Sequence, residues 1–333
     1  MSRRGRSRGD RGARPGAAGG RKGTGEGGEG AEAAGRVVAH HGVAVLVRLD
    51  SGETAQLWLA PGQRAVVGDR VETRGERIEV LPAHGVLRRR DARGRERTIA
   101  VNLDVLGIVI APEPREPPGY VDRGIVIART ASIEPRLIVN KCDLEGAEAL
   151  AERLESIYGG SVALHRVSAR TGEGREDLRE ALAGGRLGAL VGPSGVGKSS
   201  LLNALVEDLE LAIGPLNRGS GQGRHTTTTA TLHLLEGGGL LVDTAGFKDF
   251  IAVDVGTLDA ARHFPGFEAA VERGCRFRDC LHRSEPGCAV LDALAREDIE
   301  ARRHRAYLGL LADLEAPTLR DRGTRGPPRP KGS

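Results

Sequence analysis

The run Gly192-Pro193-Ser194-Gly195-Val196-Gly197-Lys198-Ser199 decides the fold. It follows the apolar stretch Ala189-Leu190-Val191 and leads into a helical pattern over 198–206, so it reads as strand, loop and helix with the spacing G-x-x-x-x-G-K-S. Glycines in such a loop let backbone N–H groups close around phosphate oxygens. Lys198 is expected to neutralise the β- and γ-phosphates, and the Ser199 hydroxyl to bind Mg²⁺, with Ser200 next to it at the start of the helix. The surrounding chain alternates buried-type strands with helical stretches. Strands are expected at 105–111, 137–139, 162–167, 188–191 and 240–242, and helices at 121–131, 147–158, 176–182 and 198–206. That alternation predicts a parallel sheet in one α/β domain over residues 100–252.

A second nucleotide motif, Asn140-Lys141-Cys142-Asp143, ends the apolar strand Leu137-Ile138-Val139 and so belongs at the carboxyl edge of the same sheet. An aspartate there can accept two hydrogen bonds from the N1–H and 2-amino group of guanine, which adenine cannot offer, so the expected nucleotide is GTP or GDP. Ser168-Ala169-Arg170, after the next strand, resembles the loop that backs the base, and Cys142 reads as a small residue of the base loop. In ordinary GTPases the phosphate loop precedes the base motif, and here it follows. A site built from strand ends depends on where elements lie in space rather than on chain order, so a circularly permuted sheet can assemble the same pocket.

Two further segments complete the candidate catalytic set. Asp243-Thr244-Ala245-Gly246 follows Leu240-Leu241-Val242, which places Asp243 to hold Mg²⁺ through water and the Gly246 amide to meet the γ-phosphate. Upstream, Gly223-Arg224-His225-Thr226-Thr227-Thr228-Thr229 offers Thr226 or Thr227 to the metal and γ-phosphate. Phe247 stands where many GTPases carry the glutamine that orients the attacking water, and a phenyl ring cannot do that. His225 is the candidate for positioning the water.

The flanks differ in character. Val43, Val45, Val47 and Leu49 alternate with other residues, then come the turn Asp50-Ser51-Gly52 and a second extended run through Leu57 and Leu59, which together read as a hairpin. Further short strands near Val71 and at 78–81 predict an OB-type β-barrel over residues 36–99. Beyond the α/β domain, the pattern Cys275-x4-Cys280-x-His282-x5-Cys288 supplies three thiolates and one imidazole. That is a closed tetrahedral set for one structural zinc ion, in a helical module over 253–315 whose last helix places Tyr307, Leu308, Leu311 and Leu314 at helical spacing.

Composition agrees with this division. At 333 residues the chain exceeds one core at about 150 residues per domain, and its 3% aromatic content predicts cores of Val, Leu, Ile and Ala. Apolar runs fall short of the roughly 20 residues a membrane span needs, so the expected compartment is the cytoplasm. Three of the four cysteines lie within 275–288, which favours metal over disulfides. The ends are basic: Arg3, Arg4, Arg6, Arg8, Arg11, Arg14, Arg21 and Lys22 lie in a Gly-rich arm over 1–35, and Arg320, Arg322, Arg325, Arg329 and Lys331 in a Pro/Gly tail over 316–333. Neither can bury enough apolar surface to offset the entropy of ordering, so both are expected to be disordered when free.

With these motifs in hand, the chain resembles the ribosome-small-subunit-dependent GTPase family known as RsgA or YjeQ. The shared features are the motif order, the run 82–88 leading into Ile99-Ala100-Val101-Asn102-Leu103-Asp104, the pair Asp122-Arg123, and the segments 223–228 and Asp243 to Phe247. The resemblance implies a multidomain protein of OB-fold barrel, circularly permuted P-loop GTPase and zinc-binding C-terminal domain. It further implies GTP hydrolysis coupled to late maturation of the 30S subunit, contact with 16S rRNA, and release of the factor, which is expected to be a monomer. Two other readings compete: an RNA-binding module with a vestigial nucleotide site, which intact Lys198 and Ser199 argue against, and a permuted GTPase of another ribosomal particle.

Overall fold

The computed structural model describes residues 33–41, 43–74, 77–90, 96–206, 231–235, 237–243 and 255–316. The candidate residues His225, Thr226, Thr227 and Gly246, with Phe247 and most of both basic ends, lie outside this set.

The α/β domain is a six-stranded sheet of β8 (Val105–Ile110), β9 (Glu134–Val139), β10 (Leu164–Arg166), β11 (Leu187–Val191), β12 (Thr231–Leu234) and β13 (Leu240–Asp243), in the order β10-β9-β8-β11-β13-β12. Five strands run parallel, and edge strand β12 pairs antiparallel with β13. All six residues of β8 are buried, which is why its sequence Val-Leu-Gly-Ile-Val-Ile shows no alternation. From β8 the chain winds outward through α1 (Tyr120–Thr130), β9, α2 (Ala147–Tyr158) and β10. It returns through α3 (Arg175–Leu182) to β11 on the other side of β8, and α4 (Lys198–Leu205) follows. The β8/β11 boundary is therefore the point where strand order reverses, and ligands of open α/β sheets bind outside the carboxyl ends at such a point.

The barrel contains β1 (Ala33–His41), β2 (Ala44–Leu49), β3 (Thr54–Trp58), β4 (Arg70–Arg74) and β5 (Arg77–Val80), ordered β3-β2-β1-β4-β5. Val37, Val45, Val47, Leu57, Val71 and Ile78 fill its interior. The Gln63 amide donates to the Ile78 carbonyl at 2.8 Å, tying the β3–β4 connection to β5. The barrel starts earlier than the sequence predicts: Ala33, Ala34 and Gly35, assigned to the basic arm, pair with Thr73, Glu72 and Val71 of β4. Their small side chains hid a strand that only its partner defines. The hairpin β6 (Leu87–Arg90) and β7 (Glu96–Ala100) forms a separate two-stranded unit leading into the α/β domain. At that junction buried Asn102, held at φ 58°, donates to the Gly68 carbonyl at 3.0 Å and accepts from the His84 amide at 3.1 Å.

The C-terminal module contains α5 (Ala260–His263), α6 (Glu268–Arg273), α7 (Ala289–Ala295) and α8 (Ala301–Glu315). Phe264, Phe267 and Tyr307 pack in tilted and edge-to-face contacts, with centroids 4.8, 5.3 and 5.1 Å apart, and form its centre. On α8 the buried residues are His304, Tyr307, Leu310 and Leu311; Leu308 and Leu314 are only half buried, because the face turned inward includes 304 and 310. Among the described residues no helix is long and apolar enough to cross a membrane.

Helix α1 joins the module to the sheet. Its Val126 belongs to the module's core. Buried Asp122 accepts from Arg303 of α8 at 2.7 Å and from the Tyr158 hydroxyl at 3.0 Å, and the Arg303 guanidinium also stacks on the rings of Tyr158 and Phe264, at 5.1 and 4.7 Å. Burial works against the Arg303 charge, yet the Asp122 carboxylate outweighs it and holds the guanidinium above its ordinary value. Arg123–Asp313 at 3.0 Å and Arg129–Glu268 at 2.8 Å extend the contact along the helix.

Candidate functional site

Every described nucleotide motif lies at the carboxyl end of a strand: Asn140 after β9, Ser168 after β10, Gly192 after β11 and Asp243 closing β13. Buried Asn140 is the joint between them. Its amide nitrogen donates to the Val196 carbonyl of the phosphate loop at 2.8 Å, and its amide oxygen accepts from the Ala169 N–H at 3.2 Å. One side chain thus connects segments 56 residues downstream and 29 residues downstream of it.

The phosphate loop requires glycine for two separate reasons. Gly195 and Gly197 sit at φ 88° and 92°, the left-handed region that other side chains rarely enter. A Cβ on Gly197 would also meet the Asn140 amide at 2.4 Å, and one on Gly192 the Val109 carbonyl of β8 at 2.4 Å. The loop closes over its neighbours so tightly that only backbone fits, leaving its N–H groups at the opening of α4 as a cradle for anionic oxygens. The Lys198 ammonium lies over this loop, donating to the Gly192 carbonyl at 2.6 Å and the Pro193 carbonyl at 2.9 Å, and Ser194, Ser199 and Ser200 are exposed. In parallel register Ala189 of β11 opposes Val242 of β13, so Asp243 ends beside the strand that launches the loop.

The base side is equally constrained. Lys141, at φ 63°, spans the gap between two loops and donates to the Glu113 carbonyl at 2.8 Å and the Gly195 carbonyl at 2.7 Å. Asp143 accepts from the Ser168 hydroxyl and from Arg170, through Nε at 2.9 Å and Nη2 at 2.5 Å. The Ser168 hydrogen bond first, and Arg170 second, hold the Asp143 carboxyl below the usual carboxylate range. Ser168 is fully buried and accepts in turn from the Thr171 amide at 3.1 Å. Burial pushes the Cys142 thiol up to about 11, so it stays protonated, as suits a small packing residue. Sequence reading missed Glu113 and Pro114: a backbone carbonyl leaves no motif, and Pro114 comes 3.4 Å from the position of a Gly195 Cβ only through the fold.

The second candidate centre is the cysteine cluster. The donor atoms of Cys275, Cys280, His282 and Cys288 all lie within 4.8 Å of one another, so the cluster can hold a metal ion. His282 Nδ1 lies 3.5, 3.6 and 3.3 Å from the Cys275, Cys280 and Cys288 sulfurs, and Cys275 Sγ lies 3.9 Å from Cys288 Sγ. A tetrahedral zinc ion with bonds of about 2.3 Å to sulfur and 2.0–2.1 Å to nitrogen spaces its ligands roughly 3.5–3.8 Å apart, so the donor set fits that ion. Burial keeps the His282 imidazole below the ordinary histidine range, which favours the neutral form a metal needs, and pushes the Cys280 thiol up to about 12.

Two supporting residues escaped the sequence. Buried His304 donates from Nε2 to the His282 carbonyl at 2.7 Å. Glu285 folds under the loop between ligands and accepts from the amides of Leu281 at 2.8 Å, Arg283 at 2.7 Å and Ser284 at 2.9 Å. Burial opposes its charge, but these amides outweigh that and bring the carboxyl down to about 2. Neither residue stands at a spacing that metal-ligand arithmetic would select.

Comparison with known proteins bears directly on this geometry. The family described as RsgA GTPase matches residues 80–252. The chain is 41% identical over 297 residues to the small ribosomal subunit biogenesis GTPase RsgA of Pseudomonas fluorescens, covering 85% of this chain and 86% of that one. It is 40% identical to the protein of the same name from Azotobacter vinelandii, covering 86% and 87%. Among solved structures, YjeQ from Thermotoga maritima superposes with a TM-score of 0.69 at 31% identity, covering 86% of this chain and 100% of that one. YloQ, a circularly permuted GTPase, superposes at 0.66 with 22% identity over 87% and 97%, a likeness of fold.

Proposed function

Since this chain belongs to the RsgA family of GTPases, we propose that it hydrolyses GTP in a cycle that governs its residence on the small (30S) ribosomal subunit during late maturation. The observation that carries the nucleotide site is Asn140 binding the phosphate loop and the Ala169 loop together at one sheet edge. In this reading the 192–200 loop and Lys198 hold the phosphates, while Asp143 reads guanine with Asn140, Lys141, Cys142, Ser168 and Ala169 shaping its pocket. Bound Mg²⁺ would supply charge neutralisation between the phosphates, held by Ser199, by Thr226 or Thr227, and by Asp243 through water. Gly246 would donate to the γ-phosphate and His225 would position the attacking water, a task Phe247 cannot perform.

The cysteine cluster is read as one structural zinc site, closed to water because all four positions are taken by protein atoms. The barrel and this module supply the ribosome-facing surfaces, with 16S rRNA as partner and the factor acting as a monomer. Helix α1 carries signal between site and module. The segment leading into it touches Lys141 through the Glu113 carbonyl, and its Asp122 holds Arg303 of α8.

The test is single-turnover hydrolysis at saturating GTP, with and without 30S subunits, for wild type and His225→Ala. Slow hydrolysis alone and strong stimulation by 30S are expected, with stimulation lost in the variant by a factor on the order of 10². Equal stimulation in both proteins dismisses His225, and an unstimulated wild type dismisses the ribosomal reading.

A further inference from the structure

The acceptor positions of the Asp143 carboxylate are nearly all taken. An ionised carboxylate offers about two lone pairs on each oxygen, roughly four positions in all. On Asp143 the Ser168 hydroxyl fills a position of Oδ1, and Arg170 fills both positions of Oδ2, through Nε at 2.9 Å and Nη2 at 2.5 Å. The open position that remains is on Oδ1. A guanine edge brings a pair of donors, N1–H and the 2-amino group, and sets them on different oxygens. It finds room on Oδ1 and none on Oδ2.

A resident donor must therefore leave, and the surroundings of each decide which. Ser168 is fully buried and pinned by its own loop: its N–H donates to the Glu173 carbonyl at 2.9 Å, its carbonyl accepts from the Gly172 amide at 2.9 Å, and its hydroxyl also accepts from the Thr171 amide at 3.1 Å. Arg170 is placed differently. Its side chain is 75% exposed against 10% for Asp143, and Asp143 is its only hydrogen-bond or ion-pair partner among the described residues. Solvent screens an exposed guanidinium, so this pair opens at little cost. Lys141 does not compete for the carboxylate, because the Glu113 and Gly195 carbonyls hold its ammonium.

We propose that Arg170 competes with the guanine 2-amino group for Oδ2 of Asp143 and so limits how tightly the site holds its nucleotide. The proposal rests on the reading of Asp143 as the residue that recognises guanine, and adds to it a residue that opposes the seating of the base. The competition is selective among purines. Hypoxanthine carries N1–H but no 2-amino group, so an inosine nucleotide needs only the open position on Oδ1 and leaves Arg170 in place. Guanine alone of the two must displace the guanidinium. A recognition carboxylate with a resident competitor suits a site whose nucleotide has to exchange.

Calorimetric titration of the full chain with GDP and with inosine diphosphate, for wild type, Arg170→Ala and Arg170→Lys, tests this. Arg170→Ala should bind GDP about twofold to threefold more tightly than wild type, the size of an exposed ion pair, and inosine diphosphate with unchanged affinity. Arg170→Lys keeps the charge without the planar fork, so a single ammonium donor leaves a position on Oδ2 free and GDP should bind as it does to Arg170→Ala. The advantage of Arg170→Ala with GDP should shrink between about 0.05 and 0.5 M salt, because screening loosens the pair in wild type. Unchanged or weaker GDP binding by Arg170→Ala overturns the competition, the weaker result making Arg170 a support for the base. An equal gain for both nucleotides, or wild-type behaviour in Arg170→Lys, overturns it as well by assigning the effect to charge alone. A wild type that does not prefer GDP to inosine diphosphate defeats the reading of Asp143 first, and the competition with it.

Discussion

The nucleotide site and the cysteine cluster are built on opposite plans. The first is assembled from loops far apart in sequence and joined by the side chains of Asn140 and Lys141, with its serines exposed and Lys198 resting on backbone carbonyls. The second gathers four candidate metal ligands from residues 275–288, buries most of them, and fixes the connecting turn with Glu285 and the His282 backbone with His304. An open site of distributed loops suits a ligand that must exchange, because its parts can separate without unfolding a core. A closed local site suits an ion that must stay, because binding free energy there is folding free energy.

The strongest way to break this contrast is to remove a metal ligand. Cys280→Ser is expected to reduce bound zinc from one equivalent to none and to unfold the C-terminal module, while GDP affinity changes less than about threefold; metal analysis, proteolysis and nucleotide titration read the two halves separately. Zinc affinity should also weaken as pH falls, since the Cys280 and Cys288 thiols, both raised when metal-free, must lose protons to bind. A chelator competition at several pH values would show the trend.

Next in size is the link between the regions. Arg303→Ala leaves Asp122 buried without its cation, an expected loss of about 3–5 kcal/mol in unfolding free energy. Denaturant titration measures it, and an effect under about 1 kcal/mol would show that α1 and α8 are joined by packing alone.

Within the nucleotide site, Asn140→Ala should cost about 1–3 kcal/mol of GDP binding, because the Val196 carbonyl and Ala169 amide lose their shared partner. Asp143→Asn should weaken GTP about tenfold to a hundredfold and shift preference toward xanthosine triphosphate. Because Ser168 and Arg170 hold the Asp143 carboxyl low, wild-type base preference should stay flat from pH 8 down through the ordinary carboxylate range. The smallest effect is expected for Arg170→Ala, no more than about threefold in nucleotide affinity, because the Arg170 side chain is 75% exposed and solvent screens its pairing.

Sequence by itself determined the strand–loop–helix around Gly192, the base motif, the reversed order, the hairpin after Val43 and the cysteine–histidine cluster that could hold a metal ion. Each of these is encoded locally, in turn glycines, apolar periodicity or ligand spacing. Tertiary structure alone decided what those pieces touch. The Ala33 start of β1 depended on pairing with β4, the role of Asn140 on two loops folded against it, and the work of His304 and Glu285 on the turn that gathers the cysteine cluster. Asp122 and Arg303, 181 residues apart, meet only because α8 packs on α1. A hydrogen-bond partner that distant is chosen by the packing of whole elements, which no local pattern records.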